Sequence, residues 1–323
     1  MLKIHLLVDF DEVWIKQLKA ELDYDIVLTH GKENDAVYES EVLISGLPQE
    51  DILEQNKKIH TLVIPWAGLP KQTRELMLQY PNINIYNIHH NAIPTAETAF
   101  SMMLTIAKDI IPIDRNFRKF DWSPRYSDSN ALTLSGKTVL IFGYGAIGKL
   151  IGKYCAGIGM NVIATKWNAD SANDNIAEIF SSDKINELLP KADVLFICAP
   201  LTPETEGLIG KNELSLLPGD AILINIARGD IINESDLYNE LKSGRIRAGL
   251  DVWYNYPKEE TQRVHTEPSK FPFHELDNVV VTPHLAGHCK EIETMRINHL
   301  AKLLNKLSRG EQIDTKVNPE VGY

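Results

Sequence analysis

A chain of 323 residues is long enough for about two domains, each with its own core. It is 44% hydrophobic and 24% charged, an ordinary globular balance that argues against disorder, collagen or coiled coil. A formal net charge of −11 with no basic block excludes a general nucleic-acid or anionic-membrane binder, though not a local positive pocket for one anionic small molecule. Acidic Asp9, Asp11 and Glu12 come too soon for a signal-peptide apolar region, and no apolar run is long enough to span a membrane. Cys155, Cys198 and Cys289 have no metal-ligand spacing. A cytoplasmic protein without disulfides or bound metal is the expectation.

Strand-like and helix-like segments alternate from the start. Lys3 to Val8 predicts a buried strand, and Val13, Leu18 and Leu22 mark a helical stripe after it. Further strands are predicted at Tyr24 to Leu28, Glu41 to Ile44, Thr61 to Ile64 and Ile83 to Tyr86. Helices are predicted at Gln49 to Asn56, Gln72 to Leu78 and Thr95 to Asp109. Such alternation implies parallel strands joined by crossover helices. From Ile110 to Ser135, with Pro112, Pro124 and a Ser-Asp-Ser-Asn run, the pattern breaks into a crossing segment. A second series then follows, with strands at Thr138 to Phe142, Asn161 to Ala164, Val194 to Ala199, Ala221 to Asn225, Ala248 to Asp251 and Val279 to Thr282. A last helix, Lys290 to Ser308, precedes a tail from Glu311.

The sharpest local motif is Gly143-Tyr144-Gly145-Ala146-Ile147-Gly148, directly after a predicted strand. Gly143 permits a tight turn, Gly145 lets backbone approach a pyrophosphate, and Gly148 lets helix pack closely on strand. The helix that opens there offers unpaired N–H groups to the phosphates. With a strand before, a helix after and a second strand at Asn161, the motif predicts a dinucleotide-binding fold. The end of that second strand carries Lys166 and no acid until Asp170. Lysine there favours the 2′-phosphate of NADP(H) over NAD(H), with a plain surface lysine as the competing explanation.

Several further segments resemble the D-isomer-specific 2-hydroxyacid dehydrogenases. Asn225-Ile-Ala227-Arg228-Gly229 through Leu237 is similar to their arginine signature, and Leu195 to Gly207, with Ala199, Pro200 and Thr205, to the loop over the cofactor. Val281-Thr-Pro-His284-Leu-Ala-Gly287 is similar to their catalytic-histidine signature. Trp66-Ala-Gly68-Leu69 and Asn91-Ala-Ile-Pro-Thr-Ala-Glu97 resemble the substrate-carboxylate loop and interdomain helix.

The resemblance implies two doubly wound α/β parallel-sheet domains, with the Rossmann-type cofactor domain (106–290) inserted into a discontinuous substrate domain (1–105 and 291–323). It also implies a homodimer through the cofactor domain, and an active site in the interdomain cleft. The implied reaction transfers a hydride between NAD(P) and a small D-2-hydroxy or 2-keto acid, of the glyoxylate or hydroxypyruvate kind. Arg228 would anchor the carboxylate bidentately, with amides near Gly68 and Leu69 and the side chain of Asn91 assisting. His284 would exchange the hydroxyl proton, and Asp251 would bond the nicotinamide amide. His89, His90 and His288 are expected to be structural or peripheral.

One departure stands out. Where most of the family places a glutamate that bonds the catalytic histidine, this chain has Tyr256, before Pro257. A carboxylate raises a neighbouring histidine's pKa, whereas a tyrosine stays neutral at pH 7. Three explanations are open: a working dehydrogenase that uses Tyr256 as an orienter of His284, formate-dehydrogenase-like oxidation, or an NAD(P)H-sensing binding module. Retention of both Arg228 and His284 favours the first.

Overall fold

The computed structural model describes residues 1–31, 35–167 and 174–322, so Asp170 lies outside the described residues. Its strands in chain order are β1 (Leu2–Leu6), β2 (Ile26–His30), β3 (Val42–Ile44), β4 (Thr61–Ile64), β5 (Asn84–Asn87), β6 (Thr138–Phe142), β7 (Asn161–Lys166), β8 (Glu178–Ser181), β9 (Val194–Ile197), β10 (Ile222–Asn225), β11 (Arg247–Leu250), β12 (Val279–Val281) and β13 (Lys316–Val317). The chain divides into two compact units, Met1–Asn91 with His288–Tyr323, and Ala92–Gly287.

The first unit holds a six-stranded sheet of order β13-β5-β4-β3-β1-β2, parallel except for β13. The second holds a seven-stranded, all-parallel sheet of order β12-β11-β10-β9-β6-β7-β8. Counting from β6, this is the dinucleotide-binding order 3-2-1-4-5-6 with one more strand at the edge. Both sheets are covered on both faces, which is why their strands read as continuous apolar runs. Along β6, Leu140 and Phe142 enter one core, and Val139 and Ile141 enter the other.

The helix Ala92–Ala107 settles where the second unit begins. Its Ala99, Met102, Met103 and Ile106 are buried in one core with Val139, Ile141, Ile222 and Ile224. By packing, the units divide after Asn91 and again at His288, beside the bounds of 105 and 291 that the resemblance implies. The expected crossing segment is also more regular than its prolines suggest, because Ile110–Phe117 is a helix. Pro112 sits in its first turn, where a missing N–H breaks no intrahelical bond. β8 and β13 answer to no predicted strand. β8 is only partly buried, and β13 is two residues long.

The tail nevertheless completes the first sheet. β13 pairs antiparallel with β5, Lys316 opposite Tyr86 and Val317 opposite Ile85. Arg74 fastens the residues just beyond β13, its Nε donating to the Pro319 carbonyl at 2.8 Å and its Nη2 to that of Glu320 at 2.7 Å. We expect Arg74→Ala to lower stability to denaturant by about 1 kcal/mol, since these charge-assisted bonds are partly solvated. Amide exchange in the 315–317 segment should accelerate about tenfold, and unchanged exchange would show that β13 holds without the anchor.

Candidate functional site

In the second unit the two motifs of interest hang on the same edge of the sheet, beyond the carboxyl ends of the strands. The glycine turn follows β6 where the strand order reverses between β6 and β9, the usual place for a nucleotide. Gly143 has φ +102°, and a Cβ there would lie 2.5 Å from the Ala199 amide nitrogen. A Cβ on Gly148 would lie 2.3 Å from the Gly143 carbonyl oxygen, so helix Ala146–Gly157 starts close against the turn. A Cβ on Gly145 would meet nothing, which leaves its open side for a ligand. A glycine cradle before the first-turn amides of Ala146, Ile147 and Gly148 fits a pyrophosphate.

The neighbours of this turn are more structural than the motif alone suggests. The Tyr144 side chain is buried and donates its hydroxyl hydrogen bond to Asp174 at 2.9 Å, so only its backbone faces the turn. Asp174 also accepts from the amides of Ile176 and Ala177. Those donors hold its carboxyl below the usual range against the upward push of burial. Lys166 is exposed at the end of β7, and the carbonyl of Thr165 before it accepts from the Gly143 and Tyr144 amides. Thr205 closes the loop after β9, its hydroxyl donating to the Pro200 carbonyl at 2.7 Å and accepting the Thr202 amide at 2.8 Å.

Arg228, Asp251, Tyr256 and His284 lie on the loops that follow β10, β11 and β12. Arg228 is exposed, and its guanidinium donates to the Ala227 carbonyl at 2.6 Å. Asn225, at the end of β10, shapes this turn by accepting the Ala227 amide and donating to the Arg228 carbonyl. Gly229 then passes so close to the next loop that a Cβ would sit 2.5 Å from the Trp253 carbonyl oxygen.

His284 is held with φ +58°, an uncommon conformation for a side chain other than glycine. Its loop is fixed by Asp251, 1% exposed, which accepts from the Thr282 hydroxyl at 2.6 Å and from the amides of Leu285 and Ala286 at 2.8 and 2.9 Å. The carboxylate expected to bond a nicotinamide amide is thus committed to the histidine loop and closed to solvent. Trp253 adds a second tie, its indole N–H donating to the Thr282 carbonyl at 2.9 Å.

Tyr256 reaches His284 with its ring, the centroids 5.5 Å apart at 58°. Its hydroxyl accepts the Trp253 amide at 3.0 Å. Burial pushes its phenol above the usual range, against the opposing pull of the Trp253 N–H and of Arg228. A neutral ring therefore stands beside His284, 40% exposed. Sequence reasoning did not single out Asn225 and Thr282 as site residues, although each stands at or just beyond a strand end within a quoted motif.

The remaining expected residues lie in the first unit. Gly68 and Leu69 are half-buried in the loop between β4 and helix Lys71–Met77, and Asn91 ends the unit. His90, beside Asn91, is buried and accepts from Arg296 Nε at 3.3 Å. Burial, then the Arg296 charge, lowers its pKa to about 4, leaving a neutral structural ring.

The chain is similar to known proteins in sequence and in fold. Residues 100–286 match the family model described as D-isomer specific 2-hydroxyacid dehydrogenase, NAD binding domain. The glyoxylate reductase of Pyrococcus furiosus is 30% identical over 304 residues, spanning 85% of this chain and 87% of that protein. The D-3-phosphoglycerate dehydrogenase of Methanocaldococcus jannaschii is 29% identical over 317 residues, 95% of this chain and 57% of its own. The chain thus spans about half the length of such phosphoglycerate dehydrogenases, down to 41% in that of Archaeoglobus fulgidus. The fold is that of the NADPH-dependent glyoxylate/hydroxypyruvate reductase of Sinorhizobium meliloti, solved with NADP and sulfate, at a TM-score of 0.78, 19% identity and full coverage of both chains. Among the described residues no helix is long and apolar enough to cross a membrane. This chain belongs to the D-isomer specific 2-hydroxyacid dehydrogenases.

Proposed function

We propose that this chain transfers a hydride between a nicotinamide cofactor, NADP(H) in preference to NAD(H), and a small D-2-hydroxy or 2-keto acid of the glyoxylate or hydroxypyruvate kind. The observation that carries the reading is the convergence, on three adjacent strand ends of one unit, of Arg228, Tyr256 and the His284 loop held by Asp251. The nicotinamide supplies or accepts the hydride when bound. Arg228 binds the substrate carboxylate, because a guanidinium keeps its charge and offers a fork of donors. Gly68, Leu69 and Asn91 of the first unit are the further substrate-binding residues in this reading. A ring nitrogen of His284 gives a proton to the keto oxygen on reduction and takes it back on oxidation. Tyr256 orients the His284 ring by packing.

The glycine turn and the first-turn amides of Ala146, Ile147 and Gly148 hold the pyrophosphate. Lys166 neutralises a 2′-phosphate, and Ala199, Pro200, Thr205, Ala227 and Gly287 line the remainder through backbone and small side chains. The substrate size follows the names borne by relatives such as the Pyrococcus furiosus glyoxylate reductase. In this reading the protein is cytoplasmic; its three cysteines are free, and burial pushes Cys155 up to about 12, which makes that thiol unreactive.

We infer further that the protein is a homodimer through the segment after helix Ala92–Ala107. Helix Ile110–Phe117 has no buried residue, Ile110, Phe117, Phe120, Trp122 and Tyr126 are each exposed, and the Phe117 and Trp122 rings pack edge to face at 4.9 Å. Several exposed large apolar side chains along one segment suit an interface between two copies.

Absorbance at 340 nm with NADPH and NADH tests the reaction. Reduction of glyoxylate or hydroxypyruvate, faster with NADPH, is expected. Tight NADPH binding without turnover of any 2-keto acid would favour a sensing module, and formate-driven reduction of NAD(P) would favour formate oxidation. Tyr256→Glu separates the roles of the ring and of a carboxylate. Reduction needs protonated His284, so its rate falls as pH rises through the histidine pKa. A carboxylate stabilises the imidazolium and should move that limb to higher pH by about one unit or more. An unchanged profile would remove position 256 from the proton relay. In light scattering the protein should weigh twice the 36.4 kDa chain, and Phe120→Asp with Trp122→Asp should yield monomers. A wild-type monomer would refute the dimer.

A further inference from the structure

We propose that Asn87 is the positioning residue that aims the Gly68 amide at the substrate carboxylate, an inference that rests on the 2-keto acid reading above. Asn87 ends β5 opposite Ile64 of β4 and is 6% exposed. Its main-chain amide donates to the Thr315 carbonyl, so its backbone is tied into the sheet. Its side-chain amide crosses to the loop after β4 and donates to the Ala67 carbonyl at 2.6 Å.

This bond determines a direction. In a trans peptide the carbonyl of one residue and the N–H of the next point opposite ways, and among the described residues no peptide bond is cis. Fastening the Ala67 carbonyl to Asn87 turns the Gly68 N–H away from Asn87. Among the described residues, neither Gly68 nor Leu69 donates a hydrogen bond from its backbone. Both residues are half-buried, and two consecutive amides without protein partners suit an anionic acceptor.

The rest of the loop is held just as firmly. The Trp66 indole lies on the Cα side of Gly46, where a Cβ would overlap it at 1.9 Å. The Thr73 hydroxyl donates to the Gly46 carbonyl at 2.5 Å. With Trp66 seated on Gly46 and the Ala67 carbonyl on Asn87, the Gly68 amide is aimed before a ligand arrives. Preorganisation of this sort improves binding without any contact from Asn87 to the ligand.

Two measurements test this. In ¹⁵N-glycine-labelled wild-type protein with NADPH, oxamate should move the Gly68 amide proton downfield, the signal being assigned by its loss in Gly68→Ala. In Asn87→Asp, which keeps the shape but replaces the donor with an acceptor, KM for the 2-keto acid should rise about tenfold or more, the loss of one hydrogen bond to a charge. Its kcat and its KM for NADPH should change by less than about threefold, and the Gly68 response to oxamate should disappear. Turnover by the wild type without a Gly68 shift overturns the proposal, even if Asn87→Asp does not fold. So does a folded Asn87→Asp with unchanged KM, or one in which kcat and both KM values deteriorate together. A Gly68 shift in a wild-type protein that reduces no 2-keto acid would support the aim of the loop and overturn the reductase reading instead.

Discussion

The Asp251 carboxylate, almost closed to water, accepts the Thr282 hydroxyl and the amides of Leu285 and Ala286. A buried charge is costly unless donors replace its water, and here the donors are the residues on either side of His284. The charge is satisfied only while that loop keeps its path, and the loop keeps its path because the charge must be satisfied. His284 therefore retains a left-handed backbone, φ +58°, that an unconstrained histidine would leave at a gain of roughly 1–3 kcal/mol. Asp251 thus matters through geometry, whatever ligand the loop meets.

The clamp belongs to a wider stitching of three strand ends. Parallel strands bring β10, β11 and β12 out at one edge, so their loops are neighbours by construction. Trp253 fills the middle position. Its carbonyl lies where only a glycine at 229 can pass, its indole N–H holds the Thr282 carbonyl, and its amide holds the Tyr256 hydroxyl. Tyr256 is thereby fixed at its hydroxyl end, with its neutral ring tilted against that of His284. Packing can set a ring's orientation, but it cannot replace the electrostatic support of a carboxylate. A neutral ring at this position thus supplies packing and no charge.

Much of this was legible in the residues, and the pattern of success has a physical reason. Gly143 and Gly148 were readable because only glycine tolerates their surroundings, a positive φ at one and a carbonyl 2.3 Å from a Cβ at the other. Strands buried on both faces declared themselves as apolar runs, and β4 and β6 span the residues expected. The omissions are features whose cause lies far away in sequence. β13 is a strand only because Arg74 and β5 receive it, about 240 residues upstream. Helix Ile110–Phe117 was hidden by a proline harmless in a first turn. Asp251 was recognised as important, but its acceptance of amides more than 30 residues onward has no local signature.

The same distinction bears on charge. A chain of net charge −11 should repel small anions if total charge decided binding. Fields from exposed carboxylates fade over about 8 Å at physiological ionic strength, so groups within one site outweigh the sum over the surface. The groups at the proposed anion positions are oriented donors: amides before helix Ala146–Gly157, the Gly68 and Leu69 amides, and Arg228. Backbone amides carry no net charge and cannot be titrated away, yet when held in place they offer their dipoles without reorganisation. Asn87 and Asn225 are both neutral amides at strand ends, and each pins a carbonyl in a loop that carries such donors. An acidic protein can in this way recognise acidic molecules: it spends few cations on the task and fixes the direction of its peptide groups.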